Sequence, residues 1–284
     1  MRRQLLYGAP VTDADLEALL RLARDTAVEA GQLLASWRAG GRPEVASTKS
    51  SDTDVVTAMD RNAEALITER ILAQRPGDAI FGEEGGQQQE SSTGVRWVVD
   101  PVDGTVNYLY GLPEWAVSIA VEVDGAVVAG CVEVPSSGET FTAVAGGGAW
   151  LSHGSGAAAR LHCTTGVSLE RALVATGFGY TAGRREVQGA VAGALLPRVR
   201  DIRRRGSAAV DLCTVAAGRV DAYYERGLNY WDYAAGGLIA REAGAVVGGL
   251  SGRSESTSMT VAAGPDLYPR LAELLAGLDP ERDG

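Results

Sequence analysis

The chain has 284 residues, of which 45% are hydrophobic and 22% charged, the composition of a globular protein long enough for a sizeable core. Its formal net charge of −10 argues against broad nucleic-acid binding and against adhesion to anionic lipid. No apolar run is long enough to span a bilayer. Arg2-Arg3 resembles a signal-peptide start, but Pro10 and Asp13 interrupt the apolar stretch, so we expect a cytoplasmic protein.

The few cysteines and histidines limit the kinds of catalytic and metal site that the chain can form. Three cysteines without CxxC spacing predict neither a disulfide framework nor a zinc site. His153 and His162, the two histidines, are not near a candidate nucleophile in a recognisable motif, which disfavours a Ser-His-Asp triad. Chemistry in this chain is therefore predicted to depend on carboxylates.

Two helices are predicted in the first quarter of the chain. Thr12 and Asp15 form a capping pattern, and apolar residues at helical spacing follow as far as Gly40-Gly41. After a polar connector, a second helix is predicted from about Val55 to Arg75. One face of it carries Val56, Asp60, Ala63, Ile67 and Ile71.

Asp60 is the single carboxylate on that otherwise apolar face. A buried carboxylate is costly unless it is hydrogen-bonded or lies near a cation, so this position favours a functional role. The alternative is that the first turn is exposed and Asp60 is merely solvated.

A short strand, Ala79 to Gly82, is predicted to run into Glu83-Glu84. Adjacent glutamates on a strand point to opposite faces, so one is able to bind a metal while the other lies behind it. A glutamate pair on a surface is also common, and the pair alone decides nothing.

Residues 97–107 carry the strongest chemical pattern. The apolar run Trp97–Val99 predicts a strand that stops at Asp100, because the proline that follows has no N–H for a ladder. Asp103 comes next, then Gly104, which permits close approach of a ligand, and Thr105, which is placed to open a short helix. Carboxylates beside an anion-binding turn repel a phosphate unless cations lie between them, which points to Mg²⁺ and a phosphate ester. An ordinary strand and Asp-Gly turn is the alternative.

The next segments predict sheet structure. Strands are predicted at 117–123 and 126–134, joined by Asp124-Gly125, a strong hairpin pattern, and a third at 140–145. The first half is thus predicted as helices packed on an antiparallel sheet.

The second half alternates strands and helices, which predicts a layered α/β arrangement. Strands are predicted at 173–176, 199–203, 220–224 and 260–263, and helices at 185–196, 206–217, 231–242 and through 278. Asp232 falls at a helix start, where aspartate is also a common cap, and Glu225 ends a strand. The Arg203–Arg205 run is interpreted as solvated or paired with local carboxylates.

Taken together, Glu83-Glu84, Asp100–Thr105 and Trp231–Ala235 resemble the inositol monophosphatase family, part of the wider lithium-sensitive, Mg²⁺-dependent sugar-phosphatase superfamily. The resemblance extends from Lys49 to Ala263 with the motifs in family order. It implies an α+β protein built as a layered αβαβα sandwich, with an N-terminal antiparallel sheet and helices followed by an α/β C-terminal half. It also implies one catalytic domain over residues 1–284, with halves of roughly 1–165 and 166–284.

The resemblance also implies roles, residue by residue. The expected metal ligands, for two or three Mg²⁺ ions, are the side chains of Glu83, Asp100, Asp103 and Asp232 and the carbonyl of Val102. The expected catalytic residues are Asp60 and Thr105, which orient the attacking water, and Glu84 behind the metal ligands. The expected substrate contacts are Glu83, Asp103, Gly104, Thr105, Gly206, Ser207, Ala208, Glu225 and Asp232. Lys49 matches a loop residue near the metals.

The implied reaction is hydrolysis of myo-inositol monophosphate to inositol and inorganic phosphate by an activated water. Fructose 1,6-bisphosphate, histidinol phosphate and adenosine 3′,5′-bisphosphate are alternative substrates, since Thr176–Tyr180 lies where family members vary. A regulatory protein that acts through RNA or polymerase, and a structural Ca²⁺-binding domain, are the non-enzyme alternatives. The resemblance further suggests a homodimer, inhibition by Li⁺, a small phosphorylated polyol as partner and no membrane.

Overall fold

The structure is a computed structural model that describes residues 5–6, 9–10, 12–41, 45–48, 55–87 and 90–283. Lys49 lies outside the described residues. The α-helices of the described part are α1 Asp13–Ala39, α2 Ala58–Gln74, α3 Thr105–Tyr110, α4 Ala182–Leu195, α5 Ala208–Ala216, α6 Tyr230–Glu242 and α7 Tyr268–Gly277. The strands are β1 Leu5–Leu6, β2 Ala9–Pro10, β3 Val45–Thr48, β4 Val55–Thr57, β5 Ala79–Gly82, β6 Gly86–Gln87, β7 Val95–Asp103, β8 Ala116–Val123, β9 Ala126–Val134, β10 Glu139–Val144, β11 Gly148–His153, β12 Ala159–Arg160, β13 Leu173–Thr176, β14 Asp201–Arg203, β15 Ala222–Glu225, β16 Val246–Gly248 and β17 Thr260–Ala263.

Two large sheets and three helix layers alternate, which confirms the predicted αβαβα sandwich. The first sheet has eight strands in the order β12-β11-β10-β9-β8-β7-β5-β6, and the second has five in the order β14-β13-β15-β17-β16. α1 and α2 pack on one face of the first sheet, and α5 and α6 lie between the two sheets. α4 and α7 cover the outer face of the second sheet. Each sheet is therefore buried on both faces, as a layered architecture requires.

The first helix follows its sequence pattern closely. The Thr12 hydroxyl accepts from the Asp15 N–H at 3.2 Å, while the Asp15 carboxylate accepts from the Thr12 N–H at 2.9 Å, so the predicted capping box is present. The helix ends at Ala39, followed by Gly40. Its buried residues, including Leu19, Ala23, Ala27 and Leu34, pack on the first sheet.

The second helix begins later than predicted. Val55–Thr57 forms strand β4, paired with β3, and α2 starts at Ala58, so the assignment of Val56 to the helix face was wrong. Three consecutive β-branched residues favour extended backbone, and this local preference prevails over the helical spacing. Asp60 consequently lies in the first turn of α2, where its side chain is 1% exposed. The alternative of a solvated Asp60 is excluded.

The strand that carries the aspartates does not stop where the sequence predicted. β7 continues through Pro101 to Asp103, with a register shift against β8 between Asp100 and Asp103. A bulge is one of the few places where a strand tolerates proline, because the missing N–H is not needed there. The bulge also gives Asp100 and Asp103 different orientations from those of a regular ladder.

The remaining sheet predictions hold with small differences. Asp124 and Gly125 form the predicted hairpin with φ values of 51° and 79°, joining β8 to β9. β5 is parallel to β7, so the first sheet is not entirely antiparallel. Strands β11 and β16 were not predicted. Within the described residues, no helix combines the length and the apolarity needed to cross a bilayer.

Candidate active site

A cavity of about 410 Å³ opens where the C-terminal end of β7 meets the loops of the second half. Four carboxylates from three separate segments line it: Glu83 after β5, Asp100 and Asp103 on β7, and Asp232 on α6. The sequence positions of these acids span about half of the chain, and folding brings them to one wall. The cavity is also lined by Val102, Gly104, Thr105, Gly206, Ala208 and Glu225, all of which belong to the predicted site.

The Asp100 side chain is held by a backbone N–H of its own strand. Its Oδ1 atom accepts from the Val102 N–H at 3.0 Å, and the side chain is 1% exposed. This local turn is a consequence of the bulge, since a regular ladder directs that N–H to the neighbouring strand.

Gly104 makes the tight passage from β7 to α3. Its φ of +88° lies in the left-handed region, and a Cβ there would lie 2.9 Å from the Glu114 carbonyl oxygen and 3.2 Å from the Gly206 carbonyl oxygen. Only glycine combines this backbone conformation with so close an approach of two other segments. The glycine therefore sets the position of Thr105, the first residue of α3.

Asp103 connects the two halves of the molecule. Its Oδ2 atom accepts from the Ser207 hydroxyl and, at 2.7 Å, from the Ala209 N–H at the start of α5. The Ser207 hydroxyl in turn accepts from the Val210 N–H at 3.2 Å and so caps the helix. A carboxylate at a helix N-terminus is favourable because it meets unpaired N–H groups and the positive end of the dipole.

Thr105 and Asp60, which the family resemblance pairs around the attacking water, are in contact in the structure. The Thr105 hydroxyl lies 3.2 Å from Asp60 Oδ1 and 3.0 Å from the Val102 carbonyl oxygen. A hydroxyl has one proton, so it donates to one of these acceptors at a time. Thr105 lines the cavity while Asp60 lies behind it. The pair thus joins the cavity to a buried carboxylate.

The far wall comes from β15 and α6. Asp232 is the third residue of α6, and its Oδ2 accepts from the Asn229 N–H at 2.7 Å in a capping box. Glu225 ends β15, where its Oε2 accepts from the Tyr223 hydroxyl at 2.7 Å. Both carboxylates are therefore fixed by hydrogen bonds before any ligand arrives.

The pKa values of the carboxylates in the cavity are raised by burial and, for Asp100 and Asp232, by the charges of their acidic neighbours. Burial, followed by repulsion from Glu83, Asp103 and Asp232, raises the pKa of Asp100 well above its ordinary value. Burial raises the pKa of Asp103 to about 6, against the opposing effect of the Ser207 hydroxyl, and raises that of Glu225 to about 7. Burial and the charge of Asp103 raise the pKa of Asp232 in the same direction. Because the ionised forms of these carboxylates are unfavourable without nearby positive charge, bound cations would stabilise them.

The donor set suits a hard cation. Carboxylate and carbonyl oxygens are the ligands that Mg²⁺ prefers, and the site offers both. Among the described residues, no three His, Cys, Asp or Glu side chains stand in the arrangement of a ready-made metal cage. Mg²⁺ does not need such a cage, because it usually retains several waters and takes one or two carboxylates together with substrate phosphate. The residues present therefore fit Mg²⁺.

Besides Asp60, two of the predicted site residues, Ser207 and Glu84, lie behind the wall of the cavity. Ser207 is 2% exposed, and its hydroxyl donates to Asp103 and caps α5, so its side chain serves to position Asp103, while its contact with substrate stays a prediction. The Glu84 carboxylate lies 3.7 Å from the Arg61 guanidinium, and its N–H donates to Glu64 at 2.8 Å. Glu84 is therefore buried next to Glu83 without lining the cavity, as expected for a residue behind the metal ligands, and its catalytic role stays a prediction.

Sequence reasoning missed three residues. Glu64 receives the N–H groups of the turn that presents Glu83, and its position four residues after Asp60 on the buried face was an available sign. Arg184 and Arg204 both line the cavity. The interpretation of residues 203–205 as solvated or locally paired holds for Arg203, which pairs with Asp201, and for Arg205, which pairs with Asp211. Arg204 is exposed, as that interpretation expects, but it also lines the cavity, which the interpretation did not foresee.

Comparison with known proteins gives the family. The profile of the inositol monophosphatase family matches residues 15–279. The chain belongs to the inositol monophosphatase family. The inositol-1-monophosphatase SuhB of Mycobacterium tuberculosis H37Rv is 46% identical over 254 residues, which cover 87% of each chain.

Other family members extend the likeness. The Nus factor SuhB of Escherichia coli K12 is 40% identical over 238 residues, which cover 84% of this chain and 87% of that one. The solved structure of the inositol monophosphatase from Anabaena superposes with a TM-score of 0.81 at 31% identity, covering 94% of this chain and 98% of its own. The family and the names of these relatives indicate an inositol-monophosphatase-type phosphatase.

Proposed function

We propose that the protein is a Mg²⁺-dependent phosphatase that hydrolyses myo-inositol monophosphate to inositol and inorganic phosphate. The observation that carries the proposal is the convergence of four carboxylates on one cavity whose wall also holds the Thr105–Asp60 pair. The names of the mycobacterial relatives support the choice of substrate. Glu83, Asp100, Asp103, Asp232 and the Val102 carbonyl are the proposed metal ligands.

Each group has a chemical task. Bound divalent cations would neutralise the phosphate charge, lower the pKa of the attacking water and stabilise the departing ester oxygen. Thr105 accepts a proton from that water while its own hydroxyl proton passes to Asp60, a transfer that the 3.2 Å contact permits. The phosphate–oxygen bond to the alcohol breaks as the water oxygen bonds to phosphorus, and no phosphoenzyme is required. Glu225 at the cavity wall is placed to accept hydrogen bonds from polyol hydroxyls.

The deciding experiment measures phosphate release from four esters, with and without Mg²⁺. The panel is myo-inositol 1-phosphate, fructose 1,6-bisphosphate, histidinol phosphate and adenosine 3′,5′-bisphosphate. We expect Mg²⁺-dependent release, fastest from the inositol ester. If the inositol ester is turned over no faster than the others, the proposed substrate is wrong. If no ester is hydrolysed under any metal condition, the proposed reaction is wrong.

The Thr105–Asp60 pair has its own test. Thr105→Val removes the hydroxyl and should lower kcat about 10²- to 10⁴-fold, the usual contribution of a positioned acid–base group. Thr105→Ser keeps a hydroxyl at the same position and is the matched control, expected to retain most of the rate. Equal losses in the two variants would show that the hydroxyl does not take part.

A regulatory role is the second candidate, and it is favoured by the relatives of Vibrio cholerae and Escherichia coli that are named Nus factor SuhB. The net charge of −10 counts against direct binding to RNA. An Asp60→Asn variant separates the two roles: if it lacks phosphatase activity but keeps full cellular function, the protein acts through a partner.

A further inference from the structure

We propose that Glu64 is a positioning residue of the active site, whose buried carboxylate holds the turn that presents Glu83 and thereby sets the affinity of the cavity for Mg²⁺. The inference rests on the proposed function, in which Glu83 is a metal ligand. Glu64 lies buried on α2 and, within the described part of the chain, is not one of the residues that line the cavity. Its effect on a metal ion is therefore exerted through the turn and not by direct ligation.

The turn that carries Glu83 has little support from the sheet. It joins β5 to β6 through residues 83–85, with Gly82 paired to Gly86 across it. β6 has two residues and lies at the edge of the eight-stranded sheet, so that within the sheet it pairs only with β5. So short a pairing at a sheet edge opens readily. A metal ligand presented from such a turn needs a further restraint.

Glu64 provides that restraint with both of its carboxylate oxygens. Oε2 accepts from the Glu84 N–H at 2.8 Å, and Oε1 accepts from the Gly85 N–H at 2.7 Å. The Glu83 N–H donates to the Val99 carbonyl oxygen on β7 at 3.2 Å. Three successive N–H groups of the turn are thus directed to acceptors on neighbouring elements. The two bonds to Glu64 are the stronger ones, because their acceptor is a carboxylate.

The chain leaves room for this carboxylate at Gly82. A Cβ at that position would lie 2.5 Å from Glu64 Cδ and 2.7 Å from its Oε1, closer than nonbonded atoms of these kinds approach. The φ of Gly82 lies outside the left-handed region, so its backbone conformation does not require glycine. The close approach of Glu64 does.

Glutamate matches the two N–H donors in length and in number of acceptors. A carboxylate offers two acceptor oxygens, whereas glutamine, of the same length, offers one oxygen and an NH₂ group that would face the second N–H. Aspartate offers both oxygens on a side chain one methylene shorter. Glu64→Gln therefore removes one hydrogen bond and the negative charge while it keeps the size of the side chain.

Glu83 needs to be held because it lies close to another acid. Burial, followed by the charge of Glu83, raises the pKa of Asp100, so the two carboxylates repel each other when both are ionised. Repulsion favours movement of Glu83 away from Asp100, whereas a cation between them needs both in place. Fixing the turn in advance lowers the cost of assembling the ligands and so increases the affinity.

Helix α2 joins this task to the proton transfer. Asp60 and Glu64 are four residues apart, so they lie on the same face of the helix, one turn apart. Asp60 contacts the Thr105 hydroxyl at 3.2 Å, and Glu64 holds the turn of Glu83. One helix thus places both the acceptor of the Thr105 proton and a proposed ligand of the metal site.

The test measures Mg²⁺ binding to the substrate-free protein by isothermal titration calorimetry. Glu64→Gln should raise the dissociation constant about 10- to 100-fold, the usual effect of removing a group that orients a metal ligand. Glu133→Gln is the matched control, since Glu133 is also buried and accepts from the Thr140 hydroxyl at 2.6 Å, but does not line the cavity. It should keep the wild-type dissociation constant. If Glu64 were merely structural, both variants would lose stability and neither would change Mg²⁺ binding.

Phosphate release separates affinity from chemistry. With myo-inositol 1-phosphate, Glu64→Gln should need about 10- to 100-fold more Mg²⁺ for its half-maximal rate. Saturating Mg²⁺ should then restore most of kcat, because Thr105 and Asp60 are unchanged. A loss of kcat that saturating Mg²⁺ does not restore, with an unchanged dissociation constant, would overturn the positioning role.

Gly82→Ala is a second variant, which decides the matter if Glu64→Gln does not fold. Its Cβ should displace the Glu64 carboxylate from the turn without removing the charge, and the same rise in the Mg²⁺ dissociation constant is expected. Phosphate release by the wild type, together with wild-type Mg²⁺ affinity in the folded variants, would overturn the positioning role and leave the phosphatase intact. Weaker Mg²⁺ binding by the variants of a protein that hydrolyses no ester would overturn the phosphatase and leave the positioning role. A wild-type protein that binds no Mg²⁺ would overturn the positioning role.

Discussion

The clustered carboxylates should make the stability of the protein depend on pH and Mg²⁺ together. Asp103 is 9% exposed, and its pKa moves from 3.8 to about 6 on folding, which corresponds to about 3 kcal/mol. A raised acid pKa means that the folded state holds the proton more tightly than the unfolded chain does. The free energy of unfolding therefore falls as the pH rises from about 4 through about 6.

About 1.4 kcal/mol of that loss occurs between pH 5 and pH 7.5. The reason is that pH 5 lies about one unit below the folded-state pKa of Asp103, and one unit corresponds to about 1.4 kcal/mol. Glu225, with a pKa of about 7, contributes in the same direction. Starting at pH 5 avoids the opposite contribution of carboxylates with lowered pKa, such as Glu139 beside Arg219. In EDTA we expect Tm to fall by about 3 °C or more between these pH values.

Mg²⁺ should reverse this loss, because bound cations stabilise the ionised carboxylates that burial disfavours. Thermal unfolding is recorded at pH 5 and pH 7.5, in EDTA and in Mg²⁺, with Mg²⁺ raising Tm more at the higher pH. Asp103→Asn should abolish most of the Mg²⁺ effect. Glu133→Gln is the control, since burial raises the pKa of Glu133 on β9 at a place that does not line the cavity. An equal Mg²⁺ effect at both pH values, or a Tm in EDTA that rises over this range, would refute the reasoning.

Three further outcomes are expected. Gly104→Ala should lower the free energy of unfolding by at least about 1–2 kcal/mol, the cost of a left-handed conformation, and should also abolish phosphate release, because its Cβ would lie 2.9 Å from the Glu114 carbonyl oxygen. Gly125→Ala has a similar φ of +79° and open space, so denaturant unfolding should show only the conformational cost with activity kept. Tyr108→Phe removes a 2.9 Å hydrogen bond to the Leu34 carbonyl and should cost about 1 kcal/mol in the same measurement without loss of kcat, and a large loss of kcat would contradict this. Millimolar Li⁺ should inhibit phosphate release, and an unchanged rate would remove the lithium sensitivity that the family resemblance suggests.

Local sequence already determined one residue of the site and two elements of the fold. Asp60 was recognised because one carboxylate on an apolar helix face needs a partner, and the structure supplies Thr105 at 3.2 Å. The β8–β9 hairpin followed from Asp124-Gly125, since few residues adopt the positive φ values of that turn. Helix α1 followed from its capping box and its spacing. These features depend on residues a few positions apart, whose geometry the backbone fixes.

Contacts between residues far apart in the chain were decided by the tertiary structure alone. Ser207 belongs to the matched motif, yet its hydroxyl is used by Asp103, a residue 104 positions away. Arg204 sits in a run of three arginines that no local rule separates, and only the folded chain sends it to the cavity while its neighbours pair with aspartates. Sequence spacing specifies which residues share a face of one element. It does not specify which faces of different elements meet, because that depends on how the layers pack.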